Sequence, residues 1–173
     1  QTRFTYTLMQ TLSLPIGKHR GIVKFQIIQY ASICEALLNY TISEYFKDEF
    51  EEKYASTLFS EIKGALSNKT KILYDGKDAT LCTKKIEKAK IPWTSNPIKA
   101  TFALEKNILT QDTKDRYCSL YNLRNNAHIL KATEANYYPK ISESKDAYEL
   151  TFQFISEIQA FFEANPRSTS DTE

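Results

Sequence analysis

Turn-forming residues are scarce in this 173-residue chain, which contains four glycines and five prolines. Tight turns depend on such residues, because glycine adopts positive φ angles and proline fixes φ near a turn value. The shortage argues against an all-β or loop-rich fold. A chain of this length is the size of one domain and buries roughly 70% of its unfolded surface. The hydrophobic share of 42% is ordinary for a globular protein.

Cysteines are few and unclustered. Cys34, Cys82 and Cys118 make an odd number, with no Cys-x-x-Cys pair and no Cys/His cluster. This pattern fits the reduced thiols of a cytoplasmic protein better than disulfides or a zinc site. The sequence also lacks a carboxylate cluster of the kind that holds two catalytic metal ions. We therefore expect no metal and no other cofactor.

Charge of one sign and long apolar runs are also missing. The formal net charge is +2 at pH 7, which by itself implies no nucleic-acid partner. No stretch approaches ~18 uninterrupted apolar residues, as a transmembrane helix would, and the first residues do not resemble a signal peptide. We expect a cytoplasmic protein with no membrane partner. The chain begins at Gln1 rather than Met, which leaves an upstream domain open.

Apolar residues recur at helical spacing along most of the chain. The pattern predicts a mainly α fold, a helical bundle of about five helices with a small β-hairpin insertion. We expect residues 1–164 to form a single helical domain, and the small polar residues of 165–173 to form a disordered tail. The predicted helices span residues 18–46, 48–63, 98–109, 111–130 and 142–164. Thr110-Gln-Asp-Thr is the expected cap at the start of the fourth helix. The predicted buried face of the last helix consists of Ala147, Leu150, Phe154, Ile155, Ile158, Phe161 and Phe162.

The first predicted helix is long and apolar enough to lie at the centre of the core. Glu35 lies inside its apolar run, where a carboxylate is costly unless it is paired. One interpretation is that Glu35 orients Arg124 or His128, and the other is a half-exposed surface glutamate. The predicted buried face of this helix consists of Ile22, Phe25, Ile28, Gln29, Ser32, Ile33 and Ala36.

Residues 69–91 predict a basic β-hairpin, with Asp75-Gly76 as its turn. Seven lysines against three acidic residues give this segment a local charge of +4. Lys84 and Lys85, with Trp93 close by, would bind an RNA backbone while the aromatic ring stacks on a base. The alternative is a solvated edge on which lysines prevent sheet aggregation.

Residues 117–130 predict a helix with two distinct faces. An apolar stripe contains Leu120, Leu123, Ala127 and Leu130, and a second stripe contains Tyr117, Tyr121, Arg124 and His128. A permanent cation therefore lies about one turn from an imidazole, whose ordinary pKa is near neutrality. Asn125 and Asn126 add neutral hydrogen-bond donors. This pattern is typical of a surface that binds phosphate.

Residues 123–128 read Leu-Arg-Asn-Asn-Ala-His, on the penultimate predicted helix. This motif resembles the signature of HEPN domains (higher eukaryotes and prokaryotes nucleotide-binding), which are up-and-down helical bundles. The stretch Gln-Tyr-Ala-Ser-Ile-Cys-Glu-Ala-Leu-Leu on the first helix is similar to the family's opening helix. The resemblance covers most of the chain as architecture and about six residues as motif. In the family four to six residues usually separate the Arg from the His, whereas here there are three.

The resemblance implies a metal-independent endoribonuclease, acting as a homodimer with one shared site, as many toxins and defence effectors do. It implies that His128 serves as general base or acid, that Arg124 holds the phosphate, and that Asn125 assists them. A toxin of this kind would have an antitoxin or an upstream domain as partner. The residues predicted to bind substrate are Tyr121, Asn126, Glu35, Lys84 and Lys85.

Two other interpretations remain open at this point. Many proteins that resemble this family are non-catalytic modules for nucleotide binding or dimerisation. The chain would also be consistent with an unrelated helical scaffold in which Arg124 pairs with Glu35 and His128 caps a buried carbonyl group.

Overall fold

The computed structural model of the protein describes residues 16–61, 72–75, 77–79, 82–127 and 139–166. His128, Leu130 and residues 167–173 lie outside these ranges, so the predictions that concern them stay predictions. The described residues form a mainly helical bundle with small antiparallel β-ribbons, which confirms the predicted fold class. The α-helices are α1 (Ile16–Tyr45), α2 (Lys47–Lys53), α3 (Asn96–Glu105), α4 (Gln111–Ala127) and α5 (Ile141–Ala164), and a 3₁₀ turn spans Ile91–Trp93.

Helix α1 is the central element, since α3, α4 and α5 all pack against it. The predicted helix is confirmed, but its predicted buried face is wrong: Phe25 is 53% exposed, and Ser32 and Ala36 are also exposed. Because three helices surround α1, its buried surface is wide and includes small and polar residues. The buried residues of α1 are Val23, Gln26, Ile27, Tyr30, Ala31, Cys34, Leu38, Thr41 and Ile42.

Helix α1 also has the length and composition of a membrane-spanning helix. The segment Gly21–Tyr45 is, by length and composition alone, long and apolar enough to cross a membrane. The core helix of a globular bundle passes the same test, and α1 packs against three neighbouring helices. The expected cytoplasmic location therefore stays a prediction.

The second predicted helix, over residues 48–63, is correct only in its first half. Helix α2 ends at Lys53, with Phe50 buried in the core. The following residues form strand β1 (Ser56–Glu61), which pairs in antiparallel register with β4 (Cys82–Glu87). The four-residue spacing of apolar side chains fitted a helix, but cross-strand hydrogen bonds to β4 stabilise the extended form instead.

The predicted hairpin over residues 69–91 is confirmed at its turn and wrong in its pairing. Strands β2 (Ile72–Tyr74) and β3 (Lys77–Ala79) pair with each other, and Asp75 between them adopts a φ of 52°. The residues from Cys82 onward pair with β1 rather than with β2. The β insertion therefore begins at Ser56, and in the sequence the β2–β3 hairpin comes after β1 and before β4.

In helices α4 and α5, apolar residues that recur at helical spacing pack into the core. The buried residues of α5 include Ala147, Leu150, Phe154, Ile158 and Phe161, all of which the sequence predicted. Helix α4 begins after Thr110, whose hydroxyl oxygen accepts a hydrogen bond from the Thr113 backbone N–H at 3.3 Å. This N-cap is also as predicted, and it fixes where the helix that carries Arg124 begins.

Candidate functional site

Arg124 lies near the C-terminal end of the described part of α4 and reaches toward α1. Its Nη1 atom is 3.6 Å from Oε2 of Glu35, and its side chain is 29% exposed. The guanidinium carbon lies 5.4 Å from the ring centroid of Tyr121, which is one turn earlier on α4. The structure therefore brings together three of the predicted site residues, and it leaves part of the guanidinium accessible.

Glu35 is shared between two cations. Its Oε1 atom lies 3.9 Å from Nζ of Lys99, while Oε2 faces Arg124. Lys99 also donates a hydrogen bond to Oδ1 of Asn39, at 2.7 Å. The set of Glu35, Asn39, Lys99 and Arg124, which we term the Glu35 cluster, joins α1, α3 and α4.

Lys99 and Asn39 were missed by sequence reasoning. The side chain of Lys99 is 0% exposed, which is rare for a lysine. The sequence did contain a signal for Lys99, because its spacing puts it on the same helical face as the apolar residues Phe102 and Ala103. In the structure both of these residues are buried. Asn39 likewise lies four residues after Glu35, on the same face of α1.

The Glu35 cluster has an excess of positive charge, with two cations and one carboxylate. Burial lowers the pKa of Lys99 below its usual value, and the carboxylate of Glu35 opposes this effect. A partly buried guanidinium that retains uncompensated positive charge is suited to binding an anion such as a phosphodiester, because the low local dielectric strengthens the attraction.

Tyr117 belongs to the core rather than to an exposed stripe. It is buried, and no described residue accepts or donates a hydrogen bond at its hydroxyl. Burial and, next, the negative charge of Glu35 raise the pKa of Tyr117 above its usual value, so the phenol stays protonated at neutral pH. It provides a neutral polar group beside the Glu35 cluster, not a catalytic acid.

The remaining predicted residues of α4 lie just beyond Arg124. Asn125 is partly buried and Asn126 is exposed. His128 follows directly after Ala127, where the described part of α4 ends, so its side chain lies outside the described residues. Its participation in the site rests on sequence spacing alone.

Lys84 and Lys85 lie on the β1–β4 ribbon and are both exposed. In the register of the ribbon, Lys84 is paired with Phe59 and Lys85 with Leu58. The side chain of Phe59 is 68% exposed. Sequence reasoning missed this aromatic residue because it had assigned the segment to a helix. The ribbon thus carries adjacent cationic and aromatic side chains, a combination that single-stranded nucleic acids bind.

Trp93 is 86% exposed, in the 3₁₀ turn after the ribbon. Nζ of Lys90 lies 5.9 Å from the centroid of its ring. The predicted stacking of Trp93 on an RNA base stays a prediction, and the lysine that contacts its ring is Lys90 rather than Lys84 or Lys85.

A cleft of ≈ 570 Å³ lies elsewhere, between α4 and α5. Asp115, Glu143 and Asp146 line it together with Arg116. Three carboxylates make this cleft unsuited to a phosphate. Across the described ranges, no group of three or more His, Cys, Asp or Glu side chains is placed to hold a metal ion.

No family model, curated protein or solved structure matches this chain.

Proposed function

We propose that the protein is a HEPN-like, metal-independent endoribonuclease whose Arg124–His128 site is shared across a homodimer. The observation that supports this most is the environment of Arg124. Its guanidinium is partly exposed, flanked by Tyr121, and part of a cluster with net positive charge. A toxin or defence effector is the type of protein in which such an activity occurs.

The proposed reaction is transesterification within RNA. A base removes the proton of a ribose 2′-hydroxyl, whose oxygen bonds to the adjacent phosphorus while the bond from phosphorus to the 5′-oxygen breaks. An acid then gives a proton to the departing 5′-oxygen. Arg124 stabilises the charge on the non-bridging phosphate oxygens, and His128 acts as the base or the acid.

A dimer would complete this chemistry. Each chain has two histidines, and only His128 lies near Arg124 in the sequence. Because the reaction requires one base and one acid, a two-fold axis beside α4 would supply the second imidazole from the partner subunit. Asn125 would orient the imidazole or donate to the phosphate, and Asn126 and Tyr121 would contact the neighbouring nucleotides.

A second candidate function is a non-catalytic module that binds nucleotides or dimerises. The ion pair between Arg124 and Glu35 favours it, because a guanidinium that is held by a carboxylate already has a structural role. Such a module would bind RNA or nucleotides through the same face without cleaving them.

Cleavage of mixed RNA in EDTA, by the parent and by matched variants, distinguishes these functions. Arg124→Ala and His128→Ala are each expected to lower the rate at least ~100-fold, which is typical of a lost acid–base or charge-stabilising group. Arg116→Ala removes a guanidinium from another face of α4, and His19→Ala removes the other histidine. Both controls should retain activity.

If the parent binds RNA but does not cut it at concentrations where it is dimeric, the non-catalytic module is the correct function. If the parent cuts and the Arg116→Ala control loses as much activity as Arg124→Ala, the site lies elsewhere on α4.

A further inference from the structure

Lys99 is the most unusual charged residue in the described part of the chain. Its ammonium group is fully buried on the face of α3 that packs toward α1. Burial of a charge is costly, and an apolar residue of similar volume would often stabilise a core equally well or better. The position of Lys99 therefore suggests a role other than stability.

The contacts of Lys99 indicate this role. Its Nζ atom lies 3.9 Å from Oε1 of Glu35, whereas the other carboxylate oxygen faces Arg124. Without Lys99, the single negative charge of Glu35 would be opposed by Arg124 alone, and the two would form a neutral pair. With Lys99, part of that charge is already compensated.

We propose that Lys99 is a positioning residue that shares the charge of Glu35 and so leaves Arg124 able to bind an anionic phosphate group of RNA. Lys99 does not touch the substrate in this account. It acts through Glu35, whose carboxylate orients the guanidinium from one side and competes with the phosphate for it. The inference rests on the proposed function of Arg124 and adds a residue from a third helix to the site.

Charge sharing predicts effects of opposite sign for two neighbouring residues. Lys99→Met removes the compensating charge, so Glu35 should hold Arg124 more tightly and RNA affinity should fall about tenfold. Glu35→Gln removes the competitor, so RNA affinity should rise. The double variant should return close to the affinity of the parent, because the two changes offset each other.

A purely structural role predicts a different result. If Lys99 and Glu35 only hold the three helices together, each single variant should weaken RNA binding. The double variant should then bind RNA no more tightly than either single variant. The sign of the Glu35→Gln effect therefore separates the two explanations.

The probe is a short 2′-O-methyl oligoribonucleotide, which carries phosphodiesters but no free 2′-hydroxyl and so cannot be cleaved by this chemistry. Its dissociation constant is measured by fluorescence anisotropy, at temperatures where thermal unfolding shows every variant to be folded. Lys106 pairs with Glu49 just beyond the C-terminal end of α3, so Lys106→Met and Glu49→Gln are matched controls. These controls change the net charge equally, and neither should alter the affinity by more than about twofold.

A second readout does not depend on any ligand. Rotation about the Nε–Cζ bond of Arg124, followed by NMR in the free protein, should slow in Lys99→Met because the guanidinium is held more tightly. If Arg124→Ala binds the probe as well as the parent does, the proposed function of Arg124 fails, and this rotation still tests charge sharing. Unchanged or faster rotation in Lys99→Met, or weaker binding by Glu35→Gln, would overturn the inference.

Discussion

At the scale of single residues, the candidate site contains one carboxylate that faces two cations. One interpretation of the sequence placed Glu35 beside Arg124 or His128, and the other left it half-exposed at the surface. In the structure Glu35 faces Arg124 and Lys99. Arg124 was among the partners considered, because both residues have recognisable positions in the sequence pattern. Lys99 was not, because a lysine is normally exposed and only the packing of α3 on α1 buries this one.

The buried lysine gives a prediction about stability. Because the folded state lowers the pKa of Lys99, the unfolded chain binds more protons than the folded one between the lowered value and 10.5. The free energy of unfolding of the parent should therefore rise with pH across that window. Lys99→Met lacks this contribution.

Urea unfolding of the parent and of Lys99→Met, from pH 7 upward to about 10.5, tests this prediction. The parent should gain stability relative to the variant as the pH rises. A difference between the two proteins that stays constant over this range would show that Lys99 keeps an ordinary pKa in the fold.

At the scale of elements, the helices were predicted better than the strands. Periodic burial on α5 follows from its own sequence, so Leu150 and Phe154 were placed correctly. Strand β1 was not, because its pairing with β4 joins residues that are far apart in the chain and no local pattern reveals it. The prediction of the buried face of α1 was wrong for a related reason. Three helices pack around α1, so its buried residues do not form one apolar stripe.

A polar network joins α4 to α5 at the start of α4. Glu157 accepts a hydrogen bond from the Thr110 backbone N–H at 2.8 Å and another from the Thr113 hydroxyl at 2.5 Å. Burial acts to raise the pKa of Glu157, but these hydrogen bonds, with one from Gln153, outweigh it and lower the pKa below 4.5. The network thus holds in place the first turn of the helix that carries Arg124.

Glu157→Gln should lower the free energy of unfolding at pH 7 by about 1 kcal/mol, since charged hydrogen-bond acceptors are stronger than neutral ones. A depressed pKa contributes stability that is fully present above pH 4.5 and is lost as the pH falls through the lowered value. The variant and the parent should therefore converge in acid. The exposed Glu163→Gln on the same helix is the control, and a pH-independent difference for Glu157→Gln would contradict this account.

The exposed lysines of the β1–β4 ribbon are predicted to contact RNA. Lys84→Ala together with Lys85→Ala should weaken binding of single-stranded RNA and reduce the slope of log K against log salt by about 1.4, which is ~0.7 per phosphate contact. The double variant should unfold at the temperature of the parent, because both lysines are exposed. Lys145→Ala on α5 is a surface control that removes one positive charge from another part of the molecule. Equal salt slopes for the parent and the ribbon variant would exclude the ribbon from the interface.

At the scale of the whole molecule, the bundle holds Arg124, Glu35 and Lys99 together from three different helices. In the proposed function, a second copy of the chain supplies the other imidazole. The sequence predicted the helical bundle and two members of the Glu35 cluster, Glu35 and Arg124. The rest of the cluster depends on how α3 docks, which no short motif encodes.

The homodimer prediction is tested by dilution. If each site takes one imidazole from each chain, the cleavage rate per chain should fall as the protein is diluted below its dimer dissociation constant. Analytical ultracentrifugation at the same concentrations measures the dimer fraction. A rate per chain that stays constant while the dimer fraction falls would show that one chain carries a complete site.

The chemical identity of the RNA ends that the protein produces in EDTA tests the proposed attack by the ribose 2′-hydroxyl. Attack by the 2′-hydroxyl predicts a 2′,3′-cyclic phosphate on one fragment and a 5′-hydroxyl on the other. It also predicts no cleavage of the 2′-O-methyl RNA and a loss of both products in Arg124→Ala. Fragments with 5′-phosphate ends, or cleavage that requires a divalent metal ion, would contradict a metal-independent site on α4.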